Sequence, residues 1–219
     1  MIKLKLMYSL NKKIRNQSRQ VFEGISKGRK KALDNWFRDK WMQLENTENI
    51  IKNFDENDST LLHELDKKLK QYEDFCELFI LDESGKILSS TCKKHIGIDM
   101  SAFPNYKSGI KNQKLMYGPY EDEHTLDVDL SKKKFVDEVT LLFSTPYVNC
   151  SGDKRILLGR ILNDDMSNVI QDEDTHIYKD SGDNYLFMVK TDRDILPGTA
   201  ISRSRFEDNT FTKGENLKD

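Results

Sequence analysis

The stretch Glu77-Leu-Phe-Ile-Leu-Asp82, continued by Glu83-Ser-Gly-Lys-Ile-Leu-Ser-Ser-Thr91, decides how this chain folds. Two apolar segments flank the polar sequence Asp-Glu-Ser-Gly, and this arrangement is typical of two antiparallel strands joined by a tight turn. Gly85 is expected to take a positive φ, which glycine adopts without steric cost. The stretch therefore predicts a β-hairpin.

Three more strands are predicted downstream of this hairpin. They are residues 114–120 (KLMYGPY), 135–148 (FVDEVTLLFSTPYV) and 155–162 (RILLGRIL), with a hairpin turn at 149–153. A short crossover precedes the third strand, and a short exit helix at 164–171 follows the fifth. Strands clustered in this way, with helices segregated from them, predict an α+β fold with a five-stranded antiparallel sheet.

The region upstream of the hairpin is helical in pattern. Apolar residues recur at three- and four-residue steps over residues 12–54, which predicts one long helix or two joined helices. Trp36, Phe37 and Trp41 share one stripe that we assign to the core in preference to a ligand wall. Residues 61–72 predict a second helix, so the two form a helical hairpin packed on the sheet.

The chain divides into three predicted regions. Residues 12–75 form the helical region, residues 76–172 the sheet domain, and residues 173–219 the start of a second, incomplete sheet domain or a linker. The last region is inferred from a further strand pattern at 182–190 and a partner at 195–201. Residues 184–196 also resemble residues 76–88, which suggests an internal repeat.

Composition and charge exclude several classes of protein. The 219 residues are 37% hydrophobic and 33% charged, with a net charge of −2, so the chain is neither disordered throughout nor a basic nucleic-acid binder. The charge is uneven, at +8 over residues 1–46 and −10 over the rest. The basic segment indicates either a solvated helix face, which we favour, or contact with an anionic surface or partner.

The sequence contains no catalytic signature such as GxSxG, HExxH or a phosphate-binding loop, so we predict no enzyme activity and no cofactor. Cys92 and His95 are two possible metal ligands, too few for a site, and no metal site is predicted. The acidic residues of 121–129 are interpreted as a solvated loop. The alternative is a cation-dependent enzyme that uses Asp127 and Asp129.

A binding pocket is the better prediction. A curved sheet with a crossover leaves a concave face, on which aromatic walls and hydroxyl groups orient a polar ligand. The predicted ligand-binding residues are Phe103, Tyr106, Tyr117, Tyr120, Thr140 and Ser144. Phe143 belongs to the same group, but for Phe103, Thr140 and Phe143 a core position is the stronger interpretation.

The order of elements resembles a known family. The segments ELFILDESGKILSST, IGIDMSAFPNYKSGIKNQKLMYGPY, VTLLFSTPYV and GDKRILLGRIL are similar to the Cache type of PAS-like sensor domain. FEGISKGRKKALDNWF and SGDNYLFMVK resemble the N-terminal region of methyl-accepting chemotaxis proteins. The sequence does not match the amino-acid-binding motif of such domains, since no Arg lies in the crossover.

The resemblance implies a ligand-sensing input domain of a bacterial signalling protein, with the ligand between the sheet and the segment before the third strand. The partners implied are a small molecule, a second copy bound through the long helix, and an output domain outside this chain. The alternatives are the sensor of a histidine kinase or diguanylate cyclase, or an interaction module that docks through Lys30 and Lys31. No membrane helix precedes residue 20, so we expect a cytoplasmic location; an extracytoplasmic sensor with membrane helices outside this chain is the alternative.

Overall fold

A computed structural model describes residues 2–55, 59–128 and 139–171. It contains the long helix α1 (Ile2–Ile51), α2 (Ser59–Gln71), α3 (Pro104–Gly109) and α4 (Asn163–Gln171). The helix predicted at 12–54 therefore begins ten residues earlier, because no proline or turn signal interrupts the Lys-rich apolar segment before it. The second sheet element predicted at 173–219 lies outside the described residues.

The described residues form one five-stranded antiparallel sheet. Its strands are β1 (Phe75–Leu81), β2 (Ile87–Ser90), β3 (Leu115–Glu121), β4 (Val139–Val148) and β5 (Lys154–Leu162), in the order β2-β1-β5-β4-β3. The hairpin turn at Gly85 has the predicted positive φ, +91°. The α+β fold class is confirmed, and the five strands are those that the sequence predicted; residues 135–138 of the predicted fourth strand lie outside the described residues.

One face of the sheet carries the helices. Side chains from alternate positions of the central strands, among them Leu78, Leu141 and Phe143, pack against α1, α2 and α4. Trp41 contacts Phe143 with ring centroids 5.1 Å apart, and Trp36 contacts the same ring at 6.3 Å. The assignment of the aromatic stripe to the core is therefore correct, and it fixes α1 on the sheet.

The opposite face carries the crossover. Phe79, Leu142 and Leu158 form a second core with Met100, and Phe103 and Tyr106 pack over it. Because both faces are covered, β1 is buried along its whole length and β5 at every position but the first. Central strands of this kind tolerate charged side chains only if these are paired.

The exposed part of α1 is the solvated face that the sequence predicted. Arg19 pairs with Glu23 at 2.8 Å and Lys30 with Asp34 at 2.7 Å, both with i,i+4 spacing on the helix surface. Lys40 is an exception to that prediction. It is buried, and its ammonium lies 2.6 Å from Asp74 and 3.0 Å from Asp39.

The absence of a side chain at Gly159 is a packing requirement of the sheet. A methyl group there would lie 2.2 Å from Cε1 of Phe75. We expect Gly159→Ala to lower the free energy of unfolding by about 1–3 kcal/mol, because the tightly packed core must shift to admit it. Urea denaturation followed by circular dichroism measures the change.

Gly28→Ala is the matched control. No atom lies within 4 Å of the added methyl group in α1, and alanine favours a helix over glycine by about 1 kcal/mol. Equal stability of wild type and Gly159→Ala would contradict the packing described for this strand.

Candidate ligand-binding site

An open cleft of about 630 Å³ lies between the start of α3 and the end of β3. Its lining combines three aromatic side chains with a run of acidic residues. The lining residues are Ala102, Phe103, Pro104, Tyr117, Tyr120, Glu121, Asp122, Glu123 and His124. The cleft therefore lies where the sequence placed the ligand, between the sheet and the segment before the third strand.

The aromatic wall depends on an irregularity in β3. Residues three apart in a regular strand point to opposite faces, yet the rings of Tyr117 and Tyr120 lie 5.0 Å apart. The pairing of β3 with β4 shifts between these two tyrosines, at Gly118. Gly118 has a φ of +124°, and a Cβ there would lie 2.6 Å from the Thr140 carbonyl oxygen. Glycine at this position brings both rings to one side.

A buried ionic cluster lies beside the cleft and is centred on Arg160 of β5. The Arg160 guanidinium donates from Nε to Glu77 Oε2 at 2.8 Å and from Nη1 to Asp122 Oδ2. Both Arg160 and Glu77 are fully buried, and Asp122 is nearly so. Tyr120 donates its hydroxyl to the same Asp122 oxygen at 2.7 Å, which links the cluster to the aromatic wall.

The cluster holds its carboxyl groups ionised. Burial by itself would raise the pKa of Glu77, but the hydrogen bond with His95 and the charge of Arg160 bring that pKa below its ordinary value. For Asp122, burial is likewise outweighed by Arg160, so its pKa is also lowered. Burial raises the pKa of Tyr120, whose hydroxyl remains a hydrogen-bond donor.

In the acidic segment after β3, Asp122 is buried in the cluster, which corrects the predicted solvated loop at that residue. The other described acidic residues of the segment are exposed as predicted, and Asp129 lies outside the described residues. Asp122 Oδ1 accepts a hydrogen bond from the backbone N–H of His124 at 3.1 Å and so caps the 3-10 helix Glu123–Asp127. Thr125 in this helix is fully buried and lies 3.3 Å from Arg160 Nη1. Glu121 and Glu123 remain exposed at the rim of the cleft.

The six predicted site residues fall into three groups. Phe103, Tyr117 and Tyr120 line the cleft. Tyr106 is half-buried outside it and donates its hydroxyl to the Glu83 carbonyl oxygen at 2.8 Å. The remaining two, Thr140 and Ser144, do not line the cleft; for Thr140 this agrees with the core position favoured by the sequence, whereas Ser144 departs from the prediction.

Thr140 and Ser144 lie on the cleft side of β4 but are fully buried. Thr140 donates to the Ile161 carbonyl oxygen at 2.8 Å, and Ser144 donates to the Leu115 carbonyl oxygen at 3.1 Å. Their hydroxyl groups are occupied within the sheet and do not face a ligand. Phe143, which points to the opposite face, belongs to the helix-side core.

Comparisons with solved structures identify this fold. It is similar to an extracellular ligand-binding receptor from Desulfohalobium retbaense, with a TM-score of 0.58 and 12% identity over 76% of this chain. It is similar to the ligand-binding domain of the Pseudomonas aeruginosa amino acid chemoreceptor PctB in complex with L-Gln, with a TM-score of 0.60 and 15% identity over 88% of this chain. The third is the sensory domain of the Campylobacter jejuni chemoreceptor Tlp3 with isoleucine bound, with a TM-score of 0.58 and 12% identity over 80% of this chain.

These matches show a shared fold with chemoreceptor sensor domains, as the resemblance implied. The chain spans 29% of the Desulfohalobium receptor, 67% of the Tlp3 chain, and 64% or 70% of PctB in its complexes with L-Arg and L-Gln. No protein-family model and no curated protein matches the chain.

The comparisons contradict the predicted cytoplasmic location. The Desulfohalobium structure is that of an extracellular receptor, and the PctB and Tlp3 structures are ligand-binding or sensory domains of chemoreceptors. The prediction rested on the lack of a membrane helix before residue 20, which carries no information about segments outside this chain. Among the helices of the described residues, none is both long and apolar enough to cross a membrane.

Arg160 is the residue on which the cluster depends. We expect Arg160→Met to lower the free energy of unfolding by about 3–5 kcal/mol, because Glu77 and Asp122 would remain buried without their counter-charge. Chemical denaturation at neutral pH measures this loss.

Lys114→Met serves as the control. Lys114 pairs with Glu45 at 2.6 Å, but both side chains are about half exposed, and such pairs contribute at most about 1 kcal/mol. If Arg160→Met lowers the free energy of unfolding no more than Lys114→Met does, the buried cluster does not stabilise the fold as described.

Proposed function

We propose that this chain is the ligand-sensing input region of a chemotaxis-type signal-transduction protein, and that the cleft beside β3 binds a small molecule with an ammonium group. One observation carries the proposal: an aromatic-walled cleft with an acidic rim, on a sheet shared with chemoreceptor ligand-binding domains. The proposed role is non-catalytic: ligand binding shifts the balance between conformations of the domain.

The chemistry of the lining favours a cation. Tyr117, Tyr120 and Phe103 present aromatic rings, and an ammonium group over such a ring is stabilised by about 0.5–2 kcal/mol. Glu121 and Glu123 at the rim add negative charge, whereas the Asp122 charge is balanced by Arg160. Solved neighbours are complexes with GABA, L-Arg, L-Gln or isoleucine, all of which carry an amine.

The sheet supplies a route from the cleft to α1. Tyr117 of β3 pairs with Leu142 of β4, and the next residue, Phe143, packs under Trp41 of α1. Thr145 of β4 donates to Glu48 of α1 at 3.0 Å. A ligand that binds one arrangement of β3 more tightly would shift the balance between arrangements, and α1 would follow.

The wider organisation follows from the same proposal. Under this proposal residues 76–172 are the sensor domain, residues 173–219 remain a predicted start of a second, incomplete sheet domain or a linker, and the output domain is one outside this sequence. We place the sensor outside the cytoplasm, in accordance with the extracellular receptor among its structural neighbours. A histidine kinase or diguanylate cyclase output would use the same input region.

Calorimetric titration of the full chain tests the ligand assignment. The probes are GABA and L-glutamine, each compared with its analogue without the amine, butyrate and glutaramate. We expect the amines to bind and the analogues to bind at least about tenfold more weakly. Tyr117→Ala should weaken amine binding by about tenfold, because a ring contact of about 1.4 kcal/mol is lost.

Tyr106→Phe is the matched control, since it removes a tyrosine hydroxyl outside the cleft. Its affinity for the amines should equal that of wild type. Binding of neither amine, or equal affinity in wild type and Tyr117→Ala, would overturn the assignment of the cleft.

We also propose that two copies associate through α1. Its first half carries exposed apolar side chains, namely Leu10, Ile14, Val21 and Phe22. Sedimentation equilibrium should report a dimer for wild type, and Ile14→Lys with Val21→Lys should shift it to monomer by placing charge in the apolar contact. A wild-type chain that stays monomeric at a protein concentration of tens of micromolar would contradict this association.

A further inference from the structure

One ring nitrogen of the buried His95 has no hydrogen-bond partner in the part of the chain that the structure describes. The residue closes the 3-10 helix Lys93–His95 and is only 1% exposed. Its Nδ1 lies 2.6 Å from Glu77 Oε1. Since the ionised Glu77 carboxylate only accepts hydrogen bonds, this contact assigns the imidazole proton to Nδ1. In the neutral ring Nε2 carries a lone pair, and here Nε2 is buried without a hydrogen-bond partner among the described residues.

Two further ligand groups face this lone pair. Oδ2 of Asp127 lies 3.8 Å from His95 Nε2, and the ring of His124 lies 5.6 Å from that of His95, centroid to centroid. One ligand atom from each of these three residues lies within 4.8 Å of the other two. His124 and Asp127 are three residues apart in the 3-10 helix Glu123–Asp127, and such residues lie on the same side of a 3-10 helix.

The surrounding groups orient this set. Lys94 holds Oδ1 of Asp127 at 2.9 Å, and Oδ2 is the oxygen toward His95. Glu77 itself is fixed by Arg160 and Ser90, so it holds the His95 ring in place from behind. Asp127 is 40% exposed, which gives an ion a path from solvent.

We propose that His95 Nε2, a ring nitrogen of His124 and the carboxylate of Asp127 bind a divalent transition-metal ion of the zinc class. A histidine whose other nitrogen donates to a carboxylate is the usual arrangement of a metal ligand, with the carboxylate as a positioning residue. Zinc–nitrogen bonds of about 2.0–2.1 Å place tetrahedral ligand atoms about 3.3 Å apart. Side-chain rotations that move the ligand atoms by about 1 Å bring the three ligands to that spacing. The fourth position is then open to solvent.

A second cluster shares His95 but is less suited to an ion. It contains Glu77 and Cys92. Glu77 is already engaged by Arg160, Ser90 and His95. Burial raises the pKa of the Cys92 thiol and so disfavours the thiolate that would bind a metal. The histidine–histidine–aspartate set is therefore the site.

The metal would link two segments that are distant in sequence, the crossover after β2 and the 3-10 helix after β3. His124 also lines the cleft, so the ion would stiffen one wall of it. This site does not depend on the cleft binding an amine, and the two are tested with different probes.

Calorimetric titration of the full, untagged chain with zinc chloride tests the proposal, with thermal unfolding as a second readout. We expect one zinc ion per chain and a rise in the midpoint of unfolding, because an ion that binds only the folded state stabilises it. His124→Ala and Asp127→Asn should each weaken zinc binding at least about tenfold.

His63→Ala and Cys92→Ser are the controls. His63 is an exposed histidine of α2, and its removal should leave zinc affinity unchanged. Cys92→Ser should also bind zinc as wild type does, whereas a tenfold loss there would assign the metal to the Glu77–Cys92 cluster and overturn the proposal. No zinc binding by wild type at micromolar concentrations, or equal binding by wild type and His124→Ala, would overturn it as well.

Discussion

The salt bridges of Arg160 with Glu77 and Asp122 are the interaction on which the crossover face of the sheet depends. Three charges removed from water are tolerated only when each is paired with good geometry. The pairing fixes β5 against β1 and draws the segment after β3 onto the sheet. Tyr120 and His95 then take their positions from the two carboxylates, one toward the cleft and the other toward Asp127. The cleft and the proposed metal site are thus two sides of one electrostatic arrangement.

Much of the fold follows from local pattern. The hairpin at Gly85 is specified by turn chemistry, and the strands by alternating or continuous apolar residues that end in Gly or polar turns. The helical hairpin follows from three- and four-residue spacing. Tyr117 and Tyr120 are predicted as ligand-site residues and line the cleft. Phe103 lines it too, although a core position is the stronger interpretation of its sequence context. Thr140 and Ser144 could not be judged in this way, because a strand pattern gives the face of a hydroxyl but not whether a backbone carbonyl already accepts its proton.

The buried cluster could be anticipated only in part. Glu77 interrupts an otherwise apolar strand, and Arg160 interrupts the apolar second part of β5. A charge at such a position signals a buried partner. The sequence does not say which partner, since the two residues are 83 positions apart and meet only through the register of β1 with β5. His95, His124 and Asp127 are likewise spread over two segments, so no ligand spacing reveals them. Strand pairing between distant segments, and not local propensity, brings the residues of the cluster and of the proposed metal site together.

The length of α1 has a mechanical consequence. At a rise of 1.5 Å per residue its 50 residues extend for about 75 Å, and the part before Leu33, the first side chain packed on the sheet, accounts for about 45 Å of this. A rigid rod anchored at one end magnifies rotation. A tilt of about 5° at the Trp41–Phe143 contact, which moves neighbouring atoms there by well under an ångström, displaces the far end of the helix, about 58 Å away, by about 5 Å. Sub-ångström adjustments at the sheet thereby become displacements as large as a side chain at the tip of the helix.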